Sequence, residues 1–253
     1  MDYLLTFKIY CIFADITKNR YSFLNSLSHF LVAFFISENY ETSNFFVDGF
    51  NFYYGLRTEK RINPEWKKAY WIDLVKLFEQ FLGQEQVLEK VIYFTASPLN
   101  REKSSRQSAF LNANKLINGA KFEVVRGKYL EKRIVCPQCK YTITRPEEKK
   151  TDVNLSIRMI ADCVKDESDI LVLVSGDSDF IPPIEFIQKN YQDKTVKVYF
   201  PPTIYSNDLA LNMKCHRSKA VLLKNNFPKF INSRMNDIVE EGEKKFTIPE
   251  KWE

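Results

Sequence analysis

Short apolar runs alternate with stretches of helical spacing along most of this chain. The β-type runs fall at 45–47, 91–95, 122–125, 170–174 and 196–200; each is rich in Val, Ile or aromatics and is bounded by polar or turn residues. Between them, 71–82 sets Ile72, Val75, Phe78 and Leu82 on one helical face. Residues 101–116 read as a helix that is polar and basic on one side, and 152–164 repeat Val153, Ile157, Ile160 and Val164 at near-helical intervals. Pro182 and Pro183 stand where an opening helical turn tolerates proline, and Asn190 is a plausible stop. After Phe200 the pattern weakens: "NDLALNMKCH" reads as a helix, "AVLL" as a short strand, and "FTIPEKWE" as a tail laid on the domain.

Strands that alternate with helices imply parallel pairing, right-handed crossovers and helices on both faces of the sheet. A near-continuous run such as "ILVLV" fits a strand buried on both sides. The expected fold is therefore α/β, a three-layer sandwich around a mostly parallel sheet of about five strands. In such open sheets ligands bind beyond the carboxyl ends of the strands. The division expected is an apolar extension at 1–43, a domain at 44–210 carrying a basic insertion near 126–150, and a tail at 211–253.

Composition supports one sizeable core. Of 253 residues, 45% are hydrophobic and 15% aromatic, and the 27% that are charged are mixed in sign, which excludes a disordered chain. "FLVAFFI" at 30–36 is far short of the ~20 residues that span a bilayer. The same region also lacks a clear secretory pattern. Five cysteines without an even framework point to a reducing compartment, and so to the cytoplasm. The net charge of +5 is uneven: from Arg101 to Lys150 there are thirteen Lys/Arg against five Glu, 13 − 5 = +8. A basic middle is as consistent with a solvated helix face as with a site for phosphates.

The chemistry lies just after the strands. Asp48 follows the first strand, with Asn51 three residues on; Asp177 and Asp179 follow the fourth; Asp152 opens the third helix. Taken singly these are ordinary: Asp48-Gly49 is a common turn pair, Asp177 or Asp179 caps a helix, and Asp152 suits a helix start. Brought to one sheet edge, four carboxylates repel unless a hard cation stands among them, and oxygen-only ligands favour Mg²⁺ or Mn²⁺ over Zn²⁺.

"FFVDGFNFYYGL", "KKTDVNLSIRMIAD" and "LVSGDSDFIPPI" resemble, in order, the three motifs of LabA-like NYN domains, which belong to the PIN-like nuclease superfamily. The resemblance covers roughly 44–210, and "FPKFI" with "IPEKW" is similar to the end of bacterial members. It implies a PIN-like sheet and a metal-dependent ribonuclease of endoribonuclease type, with catalytic Asp48, Asn51, Asp152, Asp177 and Asp179. The four aspartates would bind Mg²⁺ or Mn²⁺, Asn51 would support Asp48 or touch substrate, and Ser175 and Ser178 would shape the acidic turn. The alternative is a non-catalytic RNA-binding or regulatory module. One departure is that "NYETSN" precedes "FFV", where the family has a longer apolar lead-in.

RNA as partner gives the basic stretch a use: Arg126, Lys132, Arg133, Lys149 and Lys150 would hold its backbone without reading sequence. Tyr53 and Tyr54 either stack bases or pack a helix start. Cys136 and Cys139 have the spacing of a zinc knuckle, but Zn²⁺ needs four ligands and no second C-x-x-C exists. An intact site completed from among Cys11, Cys163, Cys215, His29 and His216, a remnant knuckle, and a site shared across a homodimer are the readings left open.

Overall fold

The structure is a computed structural model that describes residues 40–214 and 220–252. β1 (Glu41–Asp48) leads into α1 (Gly49–Ile62); a short 3-10 helix, Pro64–Tyr70, and α2 (Leu74–Glu79) return the chain to β2 (Gln86–Thr95). α3 (Arg101–Asn118) and β3 (Phe122–Arg126) follow, then a hairpin of β4 (Lys128–Val135) and β5 (Thr142–Lys149). α4 (Thr151–Lys165), β6 (Ile170–Val174), α5 (Ile181–Asn190), β7 (Thr195–Phe200), α6 (Asn207–Lys214) and β8 (Ala220–Leu222) continue the alternation. α7 (Phe227–Asn232) and a small hairpin of β9 (Ile238–Glu241) and β10 (Lys244–Thr247) complete it.

The main sheet has six strands in the order β3-β2-β1-β6-β7-β8, all parallel. Successive side chains of a strand face opposite sides, and β1 shows the consequence. Phe45 and Val47 join one core with Phe52 of α1, Phe78 of α2 and Phe110 of α3. Phe46 joins the other, with Leu155 and Met159 of α4, Ile184 of α5 and Met213 of α6. The molecule is thus a three-layer sandwich with one strand more than expected, because "AVL" pairs beside β7. Chain order reverses between β1 and β6, which makes the carboxyl ends of those two strands the switch point of the sheet.

Three expectations need correction. The first strand is not short: it runs from Glu41, and its polar lead-in is paired. The Thr42 backbone N–H and hydroxyl both donate to Asp169, at 2.8 and 2.7 Å, and Asn44 Nδ2 donates to Asp162 at 2.6 Å. Second, the helix expected at 71–82 starts only at Leu74, capped by Asp73, since Trp71 and Ile72 pair instead with Met235 and Arg234. Third, Val153, Ile157 and Val164 are 60%, 60% and 65% exposed. α4 packs through Leu155, Met159 and Cys163 because Asp162, on the same side, is drawn inward to Asn44 and to Ser168 Oγ at 2.7 Å.

That buried carboxylate lies at the end of β1 away from Asp48. Asp162→Ala strands two buried donors and is expected to cost roughly 3 kcal/mol. A urea midpoint within error of the parent protein's would show that the network is dispensable.

Candidate active site

At the carboxyl end of β1, Asp48 is the N-cap of α1 and only 2% exposed. Its Oδ1 accepts the backbone N–H groups of Phe50 and Asn51, at 3.1 and 3.0 Å. Its Oδ2 accepts Asn51 Nδ2 at 2.5 Å and Ser175 Oγ at 2.9 Å. Ser175 follows β6, the strand paired with β1, and its Oγ in turn accepts the Asp177 N–H at 3.2 Å. One serine therefore ties the two acidic strand ends together. Asp177 Oδ1 accepts the Asp179 N–H at 3.0 Å, opening the 3-10 turn 178–180 that leads into α5.

Burial pushes the Asp48 carboxyl up to about 6 from 3.8; the bonds from Asn51 and Ser175 oppose this, and the neighbouring Asp152 charge adds to the rise. Asp152, exposed in the first turn of α4, thus reaches the same edge from a helix on the opposite face of the sheet. At this edge hydrogen bonds join Asp48, Asn51, Ser175 and Asp177, the Asp152 charge acts on Asp48, and Asp179 is exposed in the turn 178–180. Among the described residues, however, no three His, Cys, Asp or Glu side chains stand close enough to share an ion. Asp48 also has four donors on its roughly four lone-pair positions, so the Asn51 amide or the Ser175 hydroxyl has to turn away before a cation can bind there.

Two glycines let backbone approach closely. A Cβ on Gly49 would lie 2.6 Å from Tyr93 Cζ and 2.7 Å from the Phe94 carbonyl oxygen. One on Gly127 would lie 2.8 Å from the Lys149 carbonyl oxygen, so Gly127 lets β3 turn tightly into the basic hairpin against the start of α4.

Of the expected RNA-binding cations, Arg126 ends β3 at the acidic edge, with its Nη1 donating to Ser97 Oγ at 2.6 Å. Lys149 and Lys150 are exposed and immediately precede α4, where Asp152 lies. Lys132 and Arg133 sit further along β4, opposite Arg145 and Thr144, and are not at the edge itself. Cys136 and Cys139 occupy the hairpin turn with free thiols. Hydrogen bonds from Cys139 and the Gln138 backbone hold the Cys136 thiol below the usual range, but the pair supplies only half of a structural zinc site. Cys11, Cys215, His29 and His216 lie outside the described residues. Of the two tyrosines, Tyr54 is exposed, while Tyr53 is half-buried against the core.

Sequence reasoning missed a cavity of about 350 Å³ on the α1 side of the same edge. Its walls include Phe50, Tyr54, Phe110 and Trp252, with Arg57, Lys103 and Arg106 among the polar lining. The "REKSSRQ" run after β2 was the available signal, because it places cations on the opening turns of a helix next to the binding edge.

A parallel six-stranded sandwich with carboxylates at its switch point defines a PIN-like α/β protein. The NYN domain family model matches residues 43–217, and the chain belongs to that family. The chain is similar to 6-hydroxy-3-succinoylpyridine 3-monooxygenase HspA of Pseudomonas putida, 27% identical over 189 residues, which is 62% of this chain and 58% of that protein. It therefore spans less than two thirds of that relative's length. Among solved structures it is similar to a protein of unknown function from Vibrio parahaemolyticus, 23% identical, with a TM-score of 0.47 over 73% of this chain and 93% of that one. No described helix is long and apolar enough to cross a membrane.

Proposed function

We propose that this chain, a NYN domain of LabA-like type, is a metal-dependent ribonuclease that cleaves RNA internally. The observation that carries the reading is the convergence at Asp48. A buried carboxylate is held rigidly at the sheet's switch point, with Asp152 near enough to raise its proton affinity and Ser175 linking it to Asp177. Mg²⁺ or Mn²⁺ fits this donor set. Mg²⁺ in particular keeps several waters and needs only one or two carboxylates plus substrate oxygens, so a cluster of three is not required. Asp48 and Asp152 would hold the ion, with Asp177 and Asp179 completing the acidic rim. When bound, it would activate a water and relieve charge on the leaving oxygen. The backbone N–H groups of Phe50 and Asn51 orient Asp48, with whichever of the Asn51 amide and the Ser175 hydroxyl stays bonded once the ion enters, while Arg126, Lys149 and Lys150 draw the phosphate backbone toward the rim.

Single-stranded RNA incubated with the purified protein tests this. EDTA should stop cleavage and excess Mn²⁺ restore it, with cuts at internal positions. RNA that stays intact with every divalent metal, yet binds in a salt-sensitive way, would leave the non-catalytic module, which the absence of a three-carboxylate cluster among the described residues favours. In either case, Lys149→Ala with Lys150→Ala should weaken RNA binding about tenfold and lower the salt slope by roughly 1.4, two phosphate contacts at about 0.7 each for single strands. A slope equal to the parent's would place RNA elsewhere.

A further inference from the structure

The cavity beside the acidic edge has a composition that the cleavage chemistry does not need. Phe50 and Tyr54 stand with ring centroids 4.3 Å apart at its rim, both partly open to solvent, and Arg57 lies 5.6 Å from the Tyr54 ring. Phe110 and Trp252, both buried, pack edge-to-face at 6.2 Å and form part of the apolar wall. The lining holds three cations, Arg57, Lys103 and Arg106, and no carboxylate. Arg106 has a distant partner, Glu102 at 3.7 Å, which is itself largely exposed. Aromatic walls with cations and no acid suit a flat ring that carries negative charge.

Gln107, which also lines the cavity, adds a polar requirement. Its Nε2 donates to Thr95 Oγ1 at 2.8 Å and to the Ala96 carbonyl at 3.3 Å. The Ala96 carbonyl only accepts, so the amide's orientation is fixed and its Oε1 is left buried without a partner. That oxygen has almost no accessible surface, so a small shift of the Gln107 side chain would be needed to bring it to a donor in the pocket, which its unpaired state favours. Every RNA base carries an N–H or NH₂ on its Watson–Crick edge. The volume of about 350 Å³ lies within the roughly 300–1,000 Å³ usual for small-ligand pockets, so one nucleotide fits and a helix does not.

We infer that this pocket holds one unpaired nucleotide of the RNA strand, with the base among Phe50, Tyr54 and Phe110 and the phosphate at Arg57, Lys103 and Arg106. Gly49 and Phe50 both line it and directly follow Asp48, so a nucleotide seated here delivers its neighbouring phosphodiester to the acidic edge. The pocket is then a recognition subsite beside the acidic edge for an unpaired nucleotide of the substrate. This rests on the ribonuclease reading only for the word substrate; the pocket and its ligand class do not depend on cleavage.

Binding is measured by calorimetry in EDTA, where no cleavage can occur, with adenosine 5′-monophosphate, uridine 5′-monophosphate, adenosine and nicotinate as probes. A monophosphate should bind at least tenfold tighter than adenosine, and the Lys103→Ala, Arg106→Ala double variant should lose at least tenfold of that affinity. Phe50→Ala, at an exposed ring, should weaken both monophosphate and nucleoside. Monophosphate binding that survives in all three substitutions overturns the assignment, as does nicotinate binding tighter than either monophosphate, which would make the pocket a site for a free aromatic acid. Where the protein also cuts RNA, the Lys103, Arg106 double variant should raise KM at least tenfold and change kcat little; an unchanged KM overturns the inference while leaving the nuclease intact. Monophosphate binding without any RNA cleavage sinks the nuclease reading and leaves the pocket standing.

Discussion

Asp48→Asn is expected to lower Mn²⁺-dependent RNA cleavage by about a thousandfold or more, on the order of 4 kcal/mol in the barrier, while the fold survives. The fold survives because an asparagine carbonyl can still accept the Phe50 and Asn51 N–H groups that Asp48 Oδ1 accepts now. On the other side, the Ser175 hydroxyl and the Asn51 amide can each rotate to offer an acceptor to the new Nδ2. What disappears is a negative charge aimed at the switch point, and with it the firmest anchor for a divalent ion. Circular dichroism should overlay that of the parent. Cleavage within threefold of the parent's would remove Asp48 from the chemistry.

The same carboxylate should make the metal-free protein lose stability as pH rises. Its folded value of about 6 lies above the ordinary 3.8. Between those values the folded protein holds a proton that the unfolded chain has released, so stability falls with rising pH. The contribution is fully present below 3.8 and is lost as pH climbs through about 6, a change of roughly 3 kcal/mol. Asp48→Asn cannot show it. Urea midpoints of the two proteins at pH 4.5 and pH 7.5, in EDTA, should therefore shift relative to each other, with the variant gaining at the higher pH. Mn²⁺ should restore the parent at pH 7.5 and leave the variant nearly unmoved. Parallel pH profiles would mean that Asp48 is not held against its charge.

The layers were legible because each central strand is an unbroken apolar run between turn residues, and "ILVLV" or "VIYFT" leaves little else to be. The acidic edge was legible for the same reason: a residue just past a parallel strand has one place to go. The face of α4 was not, because the apolar stripe at Val153, Ile157 and Val164 outscored the true inward face, whose centre is a charged residue. Its buried partners Asn44, distant in sequence, and Ser168 are what hold Asp162 inward. The start of α2 was lost likewise to long-range pairing of Trp71 with Met235. The cavity was hidden because its walls come from α1, the 3-10 helix 64–70, the end of β2 and the loop after it, α3 and the final turn around Trp252, segments with no shared motif.

The most direct measurement is cleavage of a labelled single-stranded RNA by metal-free protein supplied with Mn²⁺, parent beside Asp177→Asn. Asparagine keeps the side-chain oxygen that caps the Asp179 N–H, so the turn at 178–180 is preserved and only the charge is lost. The parent should cut internally once Mn²⁺ is added, and the variant should leave the RNA whole under the same conditions. Equal cleavage by the two proteins, or none by either, would contradict a metal-dependent nuclease centre at this edge.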